Sequence, residues 1–203
     1  MITVPALQKM AFGLTILQNG HPDIRRLRKK TGVPSIHGNK FWKSTYLLMD
    51  YLGGAPPPAS ARILEVGCGW GLAGIFCAKA FSAQVTSLDA DDAVFPYLLH
   101  HADINGVNIE TWKCRYENIR TVDLQQFDVM IAADICFWDS MVNPLFNLAR
   151  RAHKAGVRVV MTDPGRPTFS AMADRCVDKL NASCESWSTP YPVNASGLVL
   201  DID

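Results

Sequence analysis

Four glycines within eight residues, Gly67, Gly69, Gly71 and Gly74, set the narrowest limits on what this chain can fold into. The run before them, Arg62–Val66, has the length and apolar content of a buried strand. The run after them, Leu72–Phe81, is apolar nearly all round, as a buried helix is. Glycine lets a backbone turn sharply and lets its amides approach a ligand with no Cβ in the way. A plain strand-to-helix turn needs one glycine, so four point to a bound group as well as a turn.

The chain around this turn alternates. Gln84–Leu88, Ile109–Lys113, Asp128–Ala133 and Arg158–Thr162 are further strand candidates. Ala93–Ile104, Leu145–His153 and Thr168–Leu180 read as helices between and after them, the first ended by Asn105-Gly106. In the tail, Cys184–Trp187 and Leu198–Ile202 are expected to form a terminal antiparallel pair, though the chain after Asp163 is short for one. Strands alternating with helices predict an α/β doubly wound domain, a parallel sheet with helices on both faces. Ligands in such sheets bind at the carboxyl ends of the strands, beside the point where strand order reverses.

The first 58 residues have a different texture. They predict an N-terminal helical extension or lid, with helices at Pro5–Leu17, Asp23–Lys30 and near Lys40–Leu52, closed by Gly53-Gly54 and Pro56-Pro57-Pro58. Residues 59–203 then form the α/β core of a single 203-residue domain.

Composition removes whole classes of function. With 48% hydrophobic and 19% charged residues the bulk of the chain is not disordered. Lys+Arg 20 against Asp+Glu 19 leaves a net charge of +1, so no global field recruits nucleic acid or an anionic membrane. No uncharged apolar run approaches the ~20 residues that cross a bilayer, and Met10–Gln18 lacks the flanks of a signal peptide. Six scattered cysteines without a C-x-x-C pair, and five histidines without ligand spacing, predict a reduced cytoplasmic protein with no structural metal. His100-His101 is expected at the surface, and the basic run Arg25–Lys30 as the solvated face of a helix.

The glycine turn admits two frames. Gly69-x-Gly71-x-x-Gly74, with Asp89 about twenty residues on, formally fits the dinucleotide fingerprint. The strand, however, ends at Val66 and the turn starts at Gly67, which gives Glu65-x-Gly67-x-Gly69-x-Gly71 with an acid on the strand. A carboxylate there suits a ligand bearing an ammonium group better than a pyrophosphate. Ile63–Gly71 resembles motif I of the class I S-adenosylmethionine-dependent methyltransferases, and Leu88-Asp89 resembles the acid that closes their second strand. Phe41-Trp42 ahead of the loop, Ala132–Phe137 and Asp163-Pro164-Gly165-Arg166 look like the seven-β-strand protein-lysine methyltransferases, the last like the branch acting on the electron-transfer flavoprotein β subunit.

The resemblance implies a Rossmann-like, mostly parallel seven-stranded sheet and S-adenosylmethionine as cofactor, leaving S-adenosylhomocysteine. It places Gly67, Gly69 and Gly71 against the methionine and ribose and gives Asp89 both ribose hydroxyls. Asp91 better suits capping the helix that follows. Tyr116 is assigned to adenine, Trp42 to a pocket wall, and Ala133 to a spot where only a small side chain leaves room. Glu65 either meets the methionine amine or orders the loop. Asp134 is the candidate catalytic carboxylate, with Phe137 and Trp138 desolvating the acceptor. The family's Asp-x-x-Tyr reads Asp134-x-x-Phe137 here, so a hydroxyl is missing, and Asp139 or Tyr116 could replace it. The expected partner is a protein with an acceptor lysine, or else a small-molecule amine. Rival readings are an NAD-dependent oxidoreductase and a non-catalytic nucleoside-binding module.

Overall fold

Apolar strands spaced by helices can cover both sheet faces only if the strands run parallel, and the computed structural model, which describes residues 7–32, 34 and 42–203, contains that sheet. Its strands in chain order are β3 (Arg62–Val66), β4 (Gln84–Asp89), β5 (Glu110–Lys113), β6 (Val129–Ala133), β7 (Arg158–Asp163), β8 (Ser183–Ser188) and β9 (Ser196–Ile202). They lie in the order β5-β4-β3-β6-β7-β9-β8. The first five are parallel; β9 runs antiparallel to β7, and β8 antiparallel to β9. The Rossmann-like fold with seven strands is therefore present, closed at one edge by the expected terminal pair. Successive strands leave β3 in opposite directions, so the crevice between the ends of β3 and β6 is the topological switch point.

Helices cover both faces. One core joins the sheet to α2 (Ser44–Gly54), α3 (Leu72–Phe81) and α4 (Phe95–Asn105). The other joins it to α5 (Thr121–Leu124), α6 (Asp139–Lys154) and α7 (Pro167–Leu180). Alternation along β3 divides its side chains, Ile63 to the first core and Leu64 and Val66 to the second. The expected α6 began only at Leu145, but the helix starts at Asp139 and carries Pro144 inside it. Pro144 removes a single donor near the helix start, which the burial of Leu145, Phe146 and Leu148 overrides. Asp91 caps the 3₁₀ turn ahead of α4, its side chain accepting from the Ala93 N–H at 3.0 Å.

The N-terminal expectation needs correction. Pro5–Leu17 does not form a helix where it is described. β1 (Gln8–Ala11) and β2 (Leu14–Leu17) make an antiparallel hairpin around Phe12-Gly13, whose φ angles of 52° and 73° are those of a tight two-residue turn. Periodicity cannot separate a short apolar helix from such a pair, and here a tertiary partner decides. The Asn105 side chain pairs with the backbone of Thr15, accepting its N–H at 2.8 Å and donating to its carbonyl at 3.0 Å. A neighbouring strand would do the same. Next comes α1 (Pro22–Thr31), with Ile24 buried and Arg25, Arg26, Lys29 and Lys30 exposed, so the basic run is indeed a solvated helix face. α2 begins at Ser44; Lys40 and Phe41 lie outside the described residues.

His101 is a second correction. It is fully buried on α4 instead of lying at the surface. Its Nδ1–H donates to the Tyr97 carbonyl one turn back at 2.8 Å, and its Nε2 accepts the Leu17 N–H of β2 at 3.2 Å. The ring therefore has one donor and one acceptor nitrogen, and a proton on Nε2 would face another N–H. Burial foremost pushes its pKa down to about 4, with the neighbouring His100 and His21 adding in the same direction. The unfolded chain protonates this ring near pH 6.5 and the folded one only near 4, so stability is lost as pH falls through that window. Urea midpoints should show the wild type losing about 2 kcal/mol more between pH 7 and pH 5 than a His101→Gln variant. Equal losses would mean that the ring is not held neutral.

Candidate cofactor and active site

Three glycines of the loop, Gly67, Gly71 and Gly74, are required by what lies beside them. Gly67 has φ 65°, and a Cβ there would sit 2.6 Å from Ile135 Cγ2. Gly71, φ 70°, is the N-cap of α3, and a Cβ would come within 2.5 Å of Leu98. Gly74 is needed for closeness, since a Cβ would fall 2.6 Å from Glu65 Oε2. Glu65 is buried; its Oε1 accepts the Gly74 N–H at 3.1 Å and its Oε2 accepts from the Ser87 hydroxyl at 2.6 Å. Of the two roles considered for Glu65, its carboxylate takes the ordering of the loop. Burial, partly offset by those bonds, lifts its pKa to about 7.

Asp89 closes β4 across from this turn. Its Oδ2 accepts the Gly69 N–H at 3.1 Å and its Oδ1 the Asp91 N–H at 3.0 Å. A carboxylate has about four lone-pair sites, so Asp89 keeps capacity for a further donor. Burial raises its pKa, which means further donors would be welcome to the anion.

These residues line a cavity of about 240 Å³ at the switch point. All eleven residues singled out from the sequence reach it. The glycine loop, Asp89, Trp42, Ala133 at the end of β6, and Asp134, Phe137 and Trp138 after it all line it. Tyr116 lines it from the 3₁₀ turn after β5 while also packing against the second core, and burial raises its pKa to about 12. Arg115 is at the cavity too, paired with Glu117 at 3.1 Å. Of the two stand-ins for the missing hydroxyl, Tyr116 lines the cavity, whereas Asp139 opens α6 on the exposed surface.

Asp134 is held more tightly than its sequence context suggests. Its φ is 65°, left-handed for a residue with a side chain, and its N–H is fixed to the Thr162 carbonyl at 2.9 Å. The carboxylate accepts from the Ser44 hydroxyl of α2 at 2.8 Å and pairs with the Arg166 guanidinium. Arg166 is set in turn by Asp163, whose Oδ1 accepts the Arg166 N–H at 2.8 Å and whose Oδ2 faces Nη1 at 3.2 Å. The guanidinium carbon lies 6.0 Å from the centre of the Phe137 ring, and Phe137 meets Trp138 edge-on at 4.5 Å. Asp163–Arg166 is thus more than a turn. Ser44 carries no sequence signal, because only the docking of α2 on β7, where the Thr162 hydroxyl donates to the Ser44 carbonyl at 2.7 Å, brings it here. Cys68 and Cys136 adjoin the cavity region with thiols pushed up by burial, unsuited to nucleophilic work.

Comparison with known proteins agrees with this geometry. A methyltransferase-domain family model matches residues 63–156. The electron transfer flavoprotein beta subunit lysine methyltransferase of Rattus norvegicus is 24% identical over 132 residues, 64% of this chain and 51% of that protein. The histidine protein methyltransferase 1 homolog of Dictyostelium discoideum is 30% identical over 134 residues, 62% of this chain and 43% of that one. The chain therefore spans about half the length of the curated relatives it matches. Among solved structures, the ribosomal protein L11 methylase of Lactobacillus delbrueckii subsp. bulgaricus superposes with a TM-score of 0.61 at 16% identity, covering 85% of this chain and 81% of its own, a likeness of fold. Glycine turn, strand order and the match over residues 63–156 together make this chain similar to the class I, S-adenosylmethionine-dependent methyltransferases.

Proposed function

We propose that the chain transfers a methyl group from S-adenosylmethionine to a lysine nitrogen of a protein substrate. The observation that carries this reading is a fixed carboxylate, Asp134, lining the same cavity as the glycine turn. The names of the relatives support a protein acceptor.

The residues present fit the cofactor. Asp89 at the end of β4 lines the cavity and keeps acceptor capacity for a ribose hydroxyl. The turn Gly67–Gly71 presents backbone without side chains, Ala133 leaves room beside β6, and Tyr116 and Trp42 offer ring faces. The bound cofactor supplies an electrophilic methyl on a sulfonium. Residues 59–203 form the binding core, and Trp42, Thr45 and Leu48 of the first 58 residues close one side over it. Six free cysteines suit a reducing compartment and support action in the cytoplasm.

The chain's own residues then have to present a neutral nitrogen. Holding a lysine with pKa near 10.4 neutral at pH 7 costs about 4–5 kcal/mol. An isolated carboxylate would raise that cost by stabilising the ammonium. Here Arg166 already pairs with Asp134, so part of that carboxylate's pull on an ammonium is balanced, and the Phe137 ring lies beside the guanidinium. As the nitrogen gains positive charge during transfer, Asp134 opposes it, oriented in advance by Ser44 and Arg166. Asp134 thus works as an electrostatic and orienting group.

The same charge balance favours a second reading, methylation of a histidine, whose imidazole is neutral at pH 7 without any such cost. Tritium transfer from labelled cofactor into cell extract, resolved by size and followed by hydrolysis, decides among them. Labelled N-methyl-lysine in a protein band is expected; N-methyl-histidine would support the second reading, and label confined to small molecules would overturn both.

Calorimetry should register binding of S-adenosylhomocysteine and none of NAD; the reverse result would sink the cofactor assignment. Asp134→Asn should cut turnover by roughly 10²-fold with S-adenosylhomocysteine affinity nearly kept, and unchanged turnover would refute its role. Arg166→Met should move the acid limb of the rate–pH profile upward by about one unit, because removal of the guanidinium lets Asp134 stabilise the protonated lysine. A histidine acceptor would give a limb nearer pH 6.5 in the wild type.

A further inference from the structure

Trp70 stands between Gly69 and Gly71 in the cofactor turn, yet it is 2% exposed. Its ring lies parallel to Tyr97, with centroids 5.6 Å apart and planes 2° from parallel, and against His101 at 5.3 Å, both on α4. Leu17 of β2 and Ile24 of α1 complete this cluster, with Leu27 packed at its edge. His101 Nε2 accepts the Leu17 N–H, so the ring that stacks on Trp70 also holds the hairpin. The Tyr97 hydroxyl, at the other end of the stack, donates to the Gly32 carbonyl just after α1. The two glycines that flank Trp70, with φ of 52° and 70°, have no side chains of their own to fix their conformation.

We propose that Leu17, Ile24 and His101 are positioning residues for the cofactor: the N-terminal hairpin and α1 clamp Trp70 and thereby hold the glycine turn in its binding conformation. None of the three lines the cavity, so their effect passes through Trp70. The proposal rests on the methyltransferase reading for its ligand, S-adenosylhomocysteine, and on the packing alone for its mechanics. With the clamp in place, the Gly69 N–H stays on Asp89 and the turn pays no ordering cost when the nucleoside enters. With it loosened, the turn samples other conformations and affinity falls in proportion to the competent fraction.

The test uses the full chain, with calorimetry against S-adenosylhomocysteine and hydrogen exchange of the segment 67–72 in the free protein. Leu17→Ala and His101→Ala should weaken binding about tenfold and speed exchange in that segment. Met172→Ala, which opens the core on the opposite sheet face, should lower the melting temperature at least as much and change neither readout. Should Leu17→Ala fail to fold, Leu17→Val is the milder probe, with a loss of about two- to threefold expected. The proposal is overturned if the folded hairpin variants bind like wild type, or if Met172→Ala weakens binding equally. Absence of binding by the wild type would instead defeat the methyltransferase reading, and the exchange data would still judge the clamp.

Discussion

Glu65 enters the sheet as a buried carboxylate and is satisfied there by the Gly74 N–H and the Ser87 hydroxyl. That pair of bonds ties β3, α3 and β4 together at one point, immediately below the glycine turn. A buried carboxylate without such partners would cost several kcal/mol, so the turn and its support stand or fall together. Because Gly74 admits Glu65 only by lacking a Cβ, α3 sits close on the sheet with its first turn opening onto the cavity. Asp89 then needs only the end of β4 to reach Gly69. The cofactor wall is in this sense built from one buried acid outward.

The opposite end of the cavity is organised by charge. Strand ends β6 and β7 deliver Asp134 and Asp163 side by side, and two carboxylates that close would repel. Arg166 lies between them and contacts both. Ser44 adds a neutral donor from α2, which links Asp134 to a helix from the first 58 residues. The Asp134 carboxylate is therefore part of a network spanning three elements. Phenylalanine instead of tyrosine at position 137 leaves an aromatic ring beside the guanidinium and supplies no hydroxyl.

The N-terminal segment serves both ends. The start of α2 and the residues just before it bring Ser44 and Trp42, and the hairpin with α1 packs against Trp70. Its attachment to α4 uses side-chain partners for strand backbone, Asn105 for Thr15 and His101 for Leu17. Such polar contacts specify one docking position, where apolar contact alone would tolerate several.

Periodicity and glycine spacing determine the parallel core: β3, α3 and the acid at the end of β4 are readable because each obeys a local rule, two-residue or helical alternation, or a turn no residue with a Cβ can make. So were the residues that reach the cavity, since in a parallel sheet position after a strand end fixes position in the crevice. Local rules fail where a partner distant in the chain completes a hydrogen bond or a charge. Pro5–Leu17 reads as a helix until α4 offers its backbone a second strand's worth of partners, and His101 reads as surface until Leu17 arrives to cover it. Arg166 reads as a turn residue until β6 places Asp134 against it. The sequence by itself determined the sheet and the pocket's address, because those follow from neighbours along the chain; only tertiary structure decided how the pocket is braced and neutralised, because those bonds join residues whose proximity no local pattern encodes.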